Sequence, residues 1–421
     1  MIKLLIQQSQ NNQRFRQVVA LSSVNLLMIP LSFVSSIILT RFLGTSAYGD
    51  FSFLFRLFNL AVVIFSLGFF MAGNRALVLN DDPQKARELY GAELIILGVL
   101  YLAMVIFLLG YAFSDKNINE KGLRDILILF IPFSWVFLLS MYFEVLFPAD
   151  NKIKLLAKSR LYPKLAFVIS VLIIYMFLPK YSGNRLIIIF AFFLITQILV
   201  FFHIIHKISP SFINLRARIS DILFHNRTYG FNVYLGSLCA VGFSQFTGIL
   251  ISYFAIDNSG VGYFSLAITI AAPLAFIPNV IATTHYKDFS TRTSIPRKLL
   301  LLTIAVGCSA LLLTLLLVSP FIRFFYENEF YPVISLTYIV SFGVILSGFA
   351  DFLNRFLGSH GKSKALRNSS FIVGFSTMVF SLILIPRLGE KGAAYTHFFS
   401  GLIYIICMFW FYRRLVHKLN K

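Results

Sequence analysis

The sequence predicts an all-α polytopic membrane protein: twelve transmembrane helices in two parallel-repeat six-helix lobes. Three observations carry this. The composition is 58% hydrophobic and 13% charged, against about 25% charged in an ordinary soluble domain. Apolar runs recur from end to end of the 421 residues, most of them close to the roughly 18 residues that cross a ~30 Å hydrocarbon core; a β-barrel would show short alternating segments instead. Finally, the stretch ILTRFLGTSAYGDFSF at 38–53 has a second copy, SYFAIDNSGVGYFSL, at 252–266. In both, an apolar run ends, a Gly-containing turn follows, and the next run opens Gly-Asp-Phe-Ser or Gly-Tyr-Phe-Ser. Gly49 and Gly262 are 213 positions apart, half of a 421-residue chain.

In order, the spans fall at about 18–40, 51–71, 89–111, 126–147, 161–178, 187–206, 231–254, 263–281, 299–321, 332–350, 369–385 and 393–411. The polar opening MIKLLIQQSQNNQRFRQ lacks the apolar core and the small-residue cleavage site of a removable signal. Span one carries Asn25 and Pro30, and the turn at 44–50 delivers the chain into span two. The short fifth and eleventh spans each end at a proline, Pro179 and Pro386. The long connection 207–230 holds Ser209-Pro210 and the basic, amphipathic FINLRARISDILF, a composition that lies along a membrane surface. It divides a first lobe, 1–206, from a second, 231–421. A second internal match supports this division: the basic turn Asn151-Lys152-Ile153-Lys154 before span five parallels Gly361-Lys362-Ser363-Lys364 before span eleven. Equivalent positions lie six spans apart, an even number, so the halves share one orientation, and parallel repeats of this kind are a transporter architecture.

Lys and Arg give the orientation. The connections on the side of the N-terminus hold 26 of them and those on the other side 9, with Arg56 and Lys164 inside spans completing the 37. Both termini are therefore expected in the cytoplasm. The net charge of +20 reads as this topology signal plus attraction to anionic membrane lipids, with no basic domain outside the membrane to bind nucleic acid.

No catalytic constellation is visible. His203, His206, His285 and His397 have no acidic or thiol partner at ligand spacing, and Cys239, Cys308 and Cys407 all lie in apolar runs, so neither a metal site nor a disulfide framework is expected. The tract Gly358-Ser359-His360-Gly361-Lys362-Ser363 ends like a phosphate-binding loop, but Phe356 stands where that motif needs its first glycine.

Polar groups inside spans are costly facing lipid and point to an interior. Arg56 sits one to two turns into span two with no carboxylate among its helical neighbours. Asn59, one turn on, shares its face. A guanidinium donates two parallel hydrogen bonds and suits phosphate; the alternative is an arginine snorkelling to the surface. Arg41 and Arg323 read as interface anchors, and Arg75 as an anchor or a ligand. Glu93, Glu144 and Lys164 fall near the cytoplasmic face and read as an ion-pair cluster between spans three, four and five, or as a gate at an inner mouth. Asp351 and Arg355 are spaced to pair with each other. Asn25, Gln197, Gln245 and His397 are mid-span polar groups, either interhelical glue or cavity lining. Pro30, Pro273 and Pro278 allow bends that a gate would use. No Asp or Glu stands deep in any span, which favours an anionic substrate.

Thr40-Arg41-Phe42-Leu43-Gly44, then Tyr48-Gly49, Leu67-Gly68 and Asn74-Arg75, resemble the N-terminal part of Wzx-type polysaccharide flippases of the multidrug/oligosaccharidyl-lipid/polysaccharide exporter superfamily. Leu384-Ile385-Pro386-Arg387-Leu388-Gly389, then Gly392-Ala393-Ala394, is similar to that family's approach to its last span. The resemblance implies two six-helix lobes around a central cavity. It implies an undecaprenyl-diphosphate-linked oligosaccharide repeat unit as substrate, moved from the inner to the outer leaflet of the bacterial cytoplasmic membrane by alternating access, with other polysaccharide-assembly proteins as partners. Such cavities are typically cationic, and Arg56 matches by placement. A drug or organic-cation exporter of the same superfamily and a lipid II flippase are the alternatives. No cofactor is expected; with no nucleotide motif, coupling to an ion or to the membrane potential is.

Overall fold

The computed structural model describes residues 13–177 and 185–419; Pro179, expected to close span five, lies outside the described residues. Every described element is helical. Among the described residues ten helices are long and apolar enough to cross a membrane, eleven when a bent pair counts as one span. That pair is Arg124–Phe133 with Trp135–Ala149, bent by 48°. Pro132 lies in the 3₁₀ segment at the bend and supplies no N–H to a helical ladder.

The helices, numbered here as they come, start with α1, Gln13–Phe65, which is interrupted at Gly44, where φ is +77. It therefore holds both of the first two expected spans. α2 is Phe69–Val78, α3 Pro83–Ser114, α4 Lys116–Glu120, α5 Arg124–Phe130, α6 Trp135–Ala149, α7 Ile153–Phe177, α8 Arg185–Ile208 and α9 Leu215–His225. A π-helical turn leads into α10, Phe231–Ser237, and another into α11, Phe243–Phe254. α12 is Ser259–Ala271, α13 Pro273–Thr284, α14 Tyr286–Phe289, α15 Arg297–Phe325, α16 Pro332–Ser359, α17 Ser363–Leu388 and α18 Glu390–Leu419. α17 runs past Pro386, and Gly389, with φ +59, ends it.

The chain forms two compact units: Met1–Phe42 with Ala61–Leu235, and Leu43–Leu60 with Gly236–Lys421. The sequence assigns residues 43–60 to the first lobe, but these residues pack with the second unit. Gly49 explains why. A Cβ on it would overlap the carbonyl of Asn258 on the loop before α12, and a Cβ on Gly262 would lie 3.1 Å from the Gly49 Cα. The contact is closed by Asn258, whose Nδ2 donates to Asp50 Oδ1 at 2.7 Å. The two glycines that mark the internal repeat are thus in contact with each other. Tyr48 and Tyr263 both meet the buried Phe330 edge-on, at 6.2 and 6.0 Å.

The first unit is built on aromatics. Tyr90, Tyr142, Phe143, Phe147 and Phe201 are buried in one chain of contacts between α3, α6 and α8, geometry worth about 0.5–1.5 kcal/mol per pair beyond area burial. The break between α1 and α2 passes through Leu67 and Gly68, both with positive φ. Its freed carbonyls are satisfied: Tyr234 Oη donates to Ile64 O (2.8 Å) and Asn226 Nδ2 to Leu67 O (3.2 Å). The amphipathic α9 is held to α3 by polar links: Glu88 accepts from Asn214 (3.1 Å) and pairs with Arg218 (3.4 Å), and Arg87 Nε donates to Ser209 O (2.8 Å).

In the second unit α16 and α18 approach closely because both carry glycine at the crossing. A Cβ on Gly343 would stand 2.7 Å from His397 O, and one on Gly401 2.5 Å from Gly343 O. Small residues at such crossings substitute backbone packing for a hydrophobic drive that lipid does not supply. Asp351 does not pair with Arg355 as the spacing suggested: its Oδ1 accepts from Tyr404 Oη at 2.8 Å, and Asn354 Nδ2 donates to the same hydroxyl at 2.9 Å.

Candidate functional site

Arg56 lies on the part of α1 that belongs to the second unit. Its Nε and Nη2 both donate to Ser265 Oγ, each at 3.1 Å, and its Cζ stands 5.4 Å from the centre of the Phe264 ring. Gly248 on α11 makes room for it: a Cβ there would overlap Arg56 Cδ. Among the described residues Arg56 has no carboxylate partner; the ion pairs found lie elsewhere, at Asp150, Glu144, Glu88 and Asp221. The arginine is half-buried, and its fork is oriented by a hydroxyl that leaves the charge uncompensated.

His397 on α18, in the same unit, has its Nε2 buried with no hydrogen-bond partner among the described residues. The second unit thus holds both a fixed cation without a carboxylate partner and a buried ring nitrogen without a hydrogen-bond partner, and an anion would satisfy the first. Asn59 contributes less than its spacing promised: Nδ2 donates to Phe55 O on its own helix at 2.7 Å. Gln245 is half-buried on α11. Of the prolines, Pro273 opens α13 after a break at Ala272, and Pro278 is buried inside it, with Gly348 of α16 leaving space for its ring.

The first unit holds a second set of cations. Arg160 and Lys164, one turn apart on α7, share a face. Arg160 binds Glu144 with both ends of its fork, through Nε at 2.7 Å to Oε1 and through Nη2 to Oε2, and its Nη1 donates to Asn25 Oδ1 at 2.9 Å. Lys164 Nζ donates to Ser35 Oγ at 2.9 Å. Pro30 lies on the same helix as these two acceptors and is exposed. Arg75 is exposed on α2, 5.9 Å over the Tyr229 ring.

The expected cluster of Glu93, Glu144 and Lys164 is not formed. Glu144 takes Arg160, which stands just before the expected start of span five at 161; its four-residue spacing from Lys164 was the available signal. Glu93 is fully buried, with its carboxylate packed where a Cβ on Gly73 would be. A carboxylate is thus enclosed within the first unit, where the sequence suggested an ion-pair cluster between spans three, four and five near the cytoplasmic face. Ser265, Phe264 and Gly248 were also missed. Phe264 and Ser265 are the second copy of Phe51-Ser52 in the repeat, so the repeat itself pointed to them.

Comparison with known proteins places this geometry in context. The chain matches the family described as polysaccharide biosynthesis protein over residues 15–286. It is 31% identical over 121 residues to the Staphylococcus aureus protein named capsular polysaccharide biosynthesis protein CapF, a stretch that is 28% of this chain and 30% of that one. The fold is similar to that of the lipid II flippase MurJ in an inward closed conformation, with a TM-score of 0.72 and 15% identity over 95% of this chain and 90% of the other. It is also similar to an inward-facing multidrug resistance MATE family transporter of the MOP superfamily, with a TM-score of 0.67 and 13% identity over 96% and 98%.

Proposed function

Because the chain belongs to the polysaccharide biosynthesis protein family, a multi-pass membrane family whose fold here is that of transporters, we propose that it is a flippase for undecaprenyl-diphosphate-linked oligosaccharide repeat units. It carries them from the inner to the outer leaflet of the cytoplasmic membrane by alternating access. The observation that supports this best is Arg56, an oriented cation among apolar helices with no carboxylate partner among the described residues. A diphosphate offsets that charge, while the polyprenyl chain stays in lipid. His397, Gln245 and Asn59 are further ligands in the same unit. In the first unit, Asn25, Lys164 and Arg75 take the same role, and Pro30, Pro273 and Pro278, with Glu93 and Glu144, serve the gating movement. Counting the break at Gly44 as a turn between two spans gives twelve, with both termini cytoplasmic. The driving force is an ion gradient or the membrane potential, which favours outward movement of an anion. The chain performs no covalent chemistry and works beside other polysaccharide-assembly proteins.

The test is repeat-unit export in cells whose own flippase has been deleted. The chain should restore surface polymer. Arg56→Ala at matched protein level should leave lipid-linked units on the cytoplasmic leaflet, Arg56→Lys should be intermediate because it keeps charge but loses the fork, and Arg56→Glu should be worst. Normal export by Arg56→Ala would remove it as a ligand. Export of organic cations with no effect on repeat units would instead support the drug-exporter reading, and rescue of a lipid II flippase deletion the peptidoglycan one.

A further inference from the structure

Between α13 and α15 the second unit folds its connection into a pocket of about 370 Å³ that the transport reading does not use. Its walls are anchored. Phe289 is fully buried against Phe352 and Phe356, at 5.8 and 5.5 Å. The Arg292 carbonyl meets His360 Nε2 at 3.0 Å, and the Ile295 N–H donates to Tyr412 Oη at 3.1 Å. The pocket is therefore preformed, held by the ends of α16 and α18.

Its lining mixes two chemistries: Arg292, Lys298 and His285 with a single carboxylate, Asp288, and the apolar Phe289, Pro296, Leu299 and Leu302. Neither Arg292 nor Lys298 has an ion-pair partner among the described residues. Both stand beside the N-terminus of α15, which has no acidic residue in its first turn. Cations there oppose the helix dipole, and an anion reverses the sign of the interaction. Leu302 lines the pocket and is 55% exposed, and its neighbour Leu301 is 65% exposed; on a membrane-spanning helix such leucines meet acyl chains. A pocket lined by two exposed cations, Arg292 and Lys298, beside exposed leucines matches a phosphate ester carried on hydrocarbon. The volume falls within the ~300–1,000 Å³ of small-ligand sites and suits a headgroup, with the chains outside along α15.

We propose that this pocket binds the phosphate of an anionic glycerophospholipid of the cytoplasmic leaflet. The assignment to that leaflet rests on the topology proposed above; the binding itself does not depend on which substrate is transported.

The full chain, reconstituted in nanodiscs of phosphatidylglycerol and phosphatidylcholine, is released into mild detergent and its retained lipids are counted by native mass spectrometry. Wild type should keep phosphatidylglycerol selectively. Arg292→Gln/Lys298→Gln should bind it about thirtyfold more weakly, two cations at roughly fivefold each. Lys362→Gln/Lys364→Gln, which removes two exposed cations of a neighbouring turn, should retain it. Arg292→Lys/Lys298→Arg should retain it as well. Equal loss in both neutralised pairs, or no preference of wild type for phosphatidylglycerol, overturns the proposal. A soluble source is separated by adding sn-glycerol-3-phosphate: it should compete weakly, and complete displacement at micromolar concentration would assign the site to a soluble phosphate and overturn the lipid. Should the Gln pair fail to accumulate, salt decides on wild type alone, since retention unchanged between low and high NaCl would also refute it. None of these readouts involves transport, so they stand or fall separately from the flippase reading.

Discussion

Gly248→Ala is the sharpest probe of the Arg56 site, because the sign of its effect depends on a side chain from another helix. A glycine in a helix interior is about 0.5–1 kcal/mol worse than alanine, so the substitution alone should stabilise α11. Here the new methyl overlaps Arg56 Cδ. The arginine stem must move, and the fork loses its two 3.1 Å bonds to Ser265 Oγ and its seat on Phe264. A hydrogen bond involving a charged group contributes about 1.5–3 kcal/mol, and a cation–π contact about 0.5–2 kcal/mol. The lower ends together give a loss of about 2 kcal/mol against a gain of at most ~1 kcal/mol. Gly248→Ala should therefore lower stability by about 1 kcal/mol in wild type and raise it by about 0.5–1 kcal/mol in Arg56→Ala, where nothing occupies the space. Thermal unfolding of the four purified proteins in one detergent, followed by intrinsic fluorescence, completes the cycle. The same shift in both backgrounds would show that Arg56 does not pack on Gly248. Export should follow the same order, with Gly248→Ala impaired although the arginine is still present.

Other substitutions test the remaining elements. Gly49→Ala drives a methyl into the Asn258 backbone, which cannot swing away, and should cost roughly 3 kcal/mol or more; Gly44→Ala meets open space and only its φ of +77, so it should cost about 1–2 kcal/mol, an order read from thermal midpoints. Gly73→Ala should destabilise by about 2–3 kcal/mol through overlap with the buried Glu93 carboxylate, and Gly73→Ala/Glu93→Ala should recover most of it; no recovery would mean that the carboxylate does not sit there. Arg160→Ala should cost more than Glu144→Gln, because it also releases Asn25; the pair is 30% and 37% exposed, so the Glu144→Gln loss should stay near about 1 kcal/mol, again measured by thermal unfolding.

Much of this fold was written in one-dimensional order. Apolar runs long enough to cross a bilayer specify helices without reference to any partner, because each span satisfies its own backbone. The duplicated Gly-x-Phe-Ser stretch marked the halves, and Arg56 was conspicuous because a charge in an apolar run is expensive wherever it points. Properties that depend on what lies opposite were not legible. The sequence put residues 43–60 in the first lobe by chain order, but Gly49 lets that segment close onto Asn258 and join the second unit. It placed Glu93, Glu144 and Lys164 together by depth, whereas their azimuths around three helices sent one to Gly73, one to Arg160 and one to Ser35. Depth follows from counting residues at 1.5 Å each. The partner of a side chain follows from how helices are rotated against one another, which is set by the summed packing of all the small and large residues along both. That is why Arg56 stood out from its own position and the repeat marked Phe264 and Ser265, while their contact with Arg56, and Gly248 that makes room for it, became visible only in three dimensions.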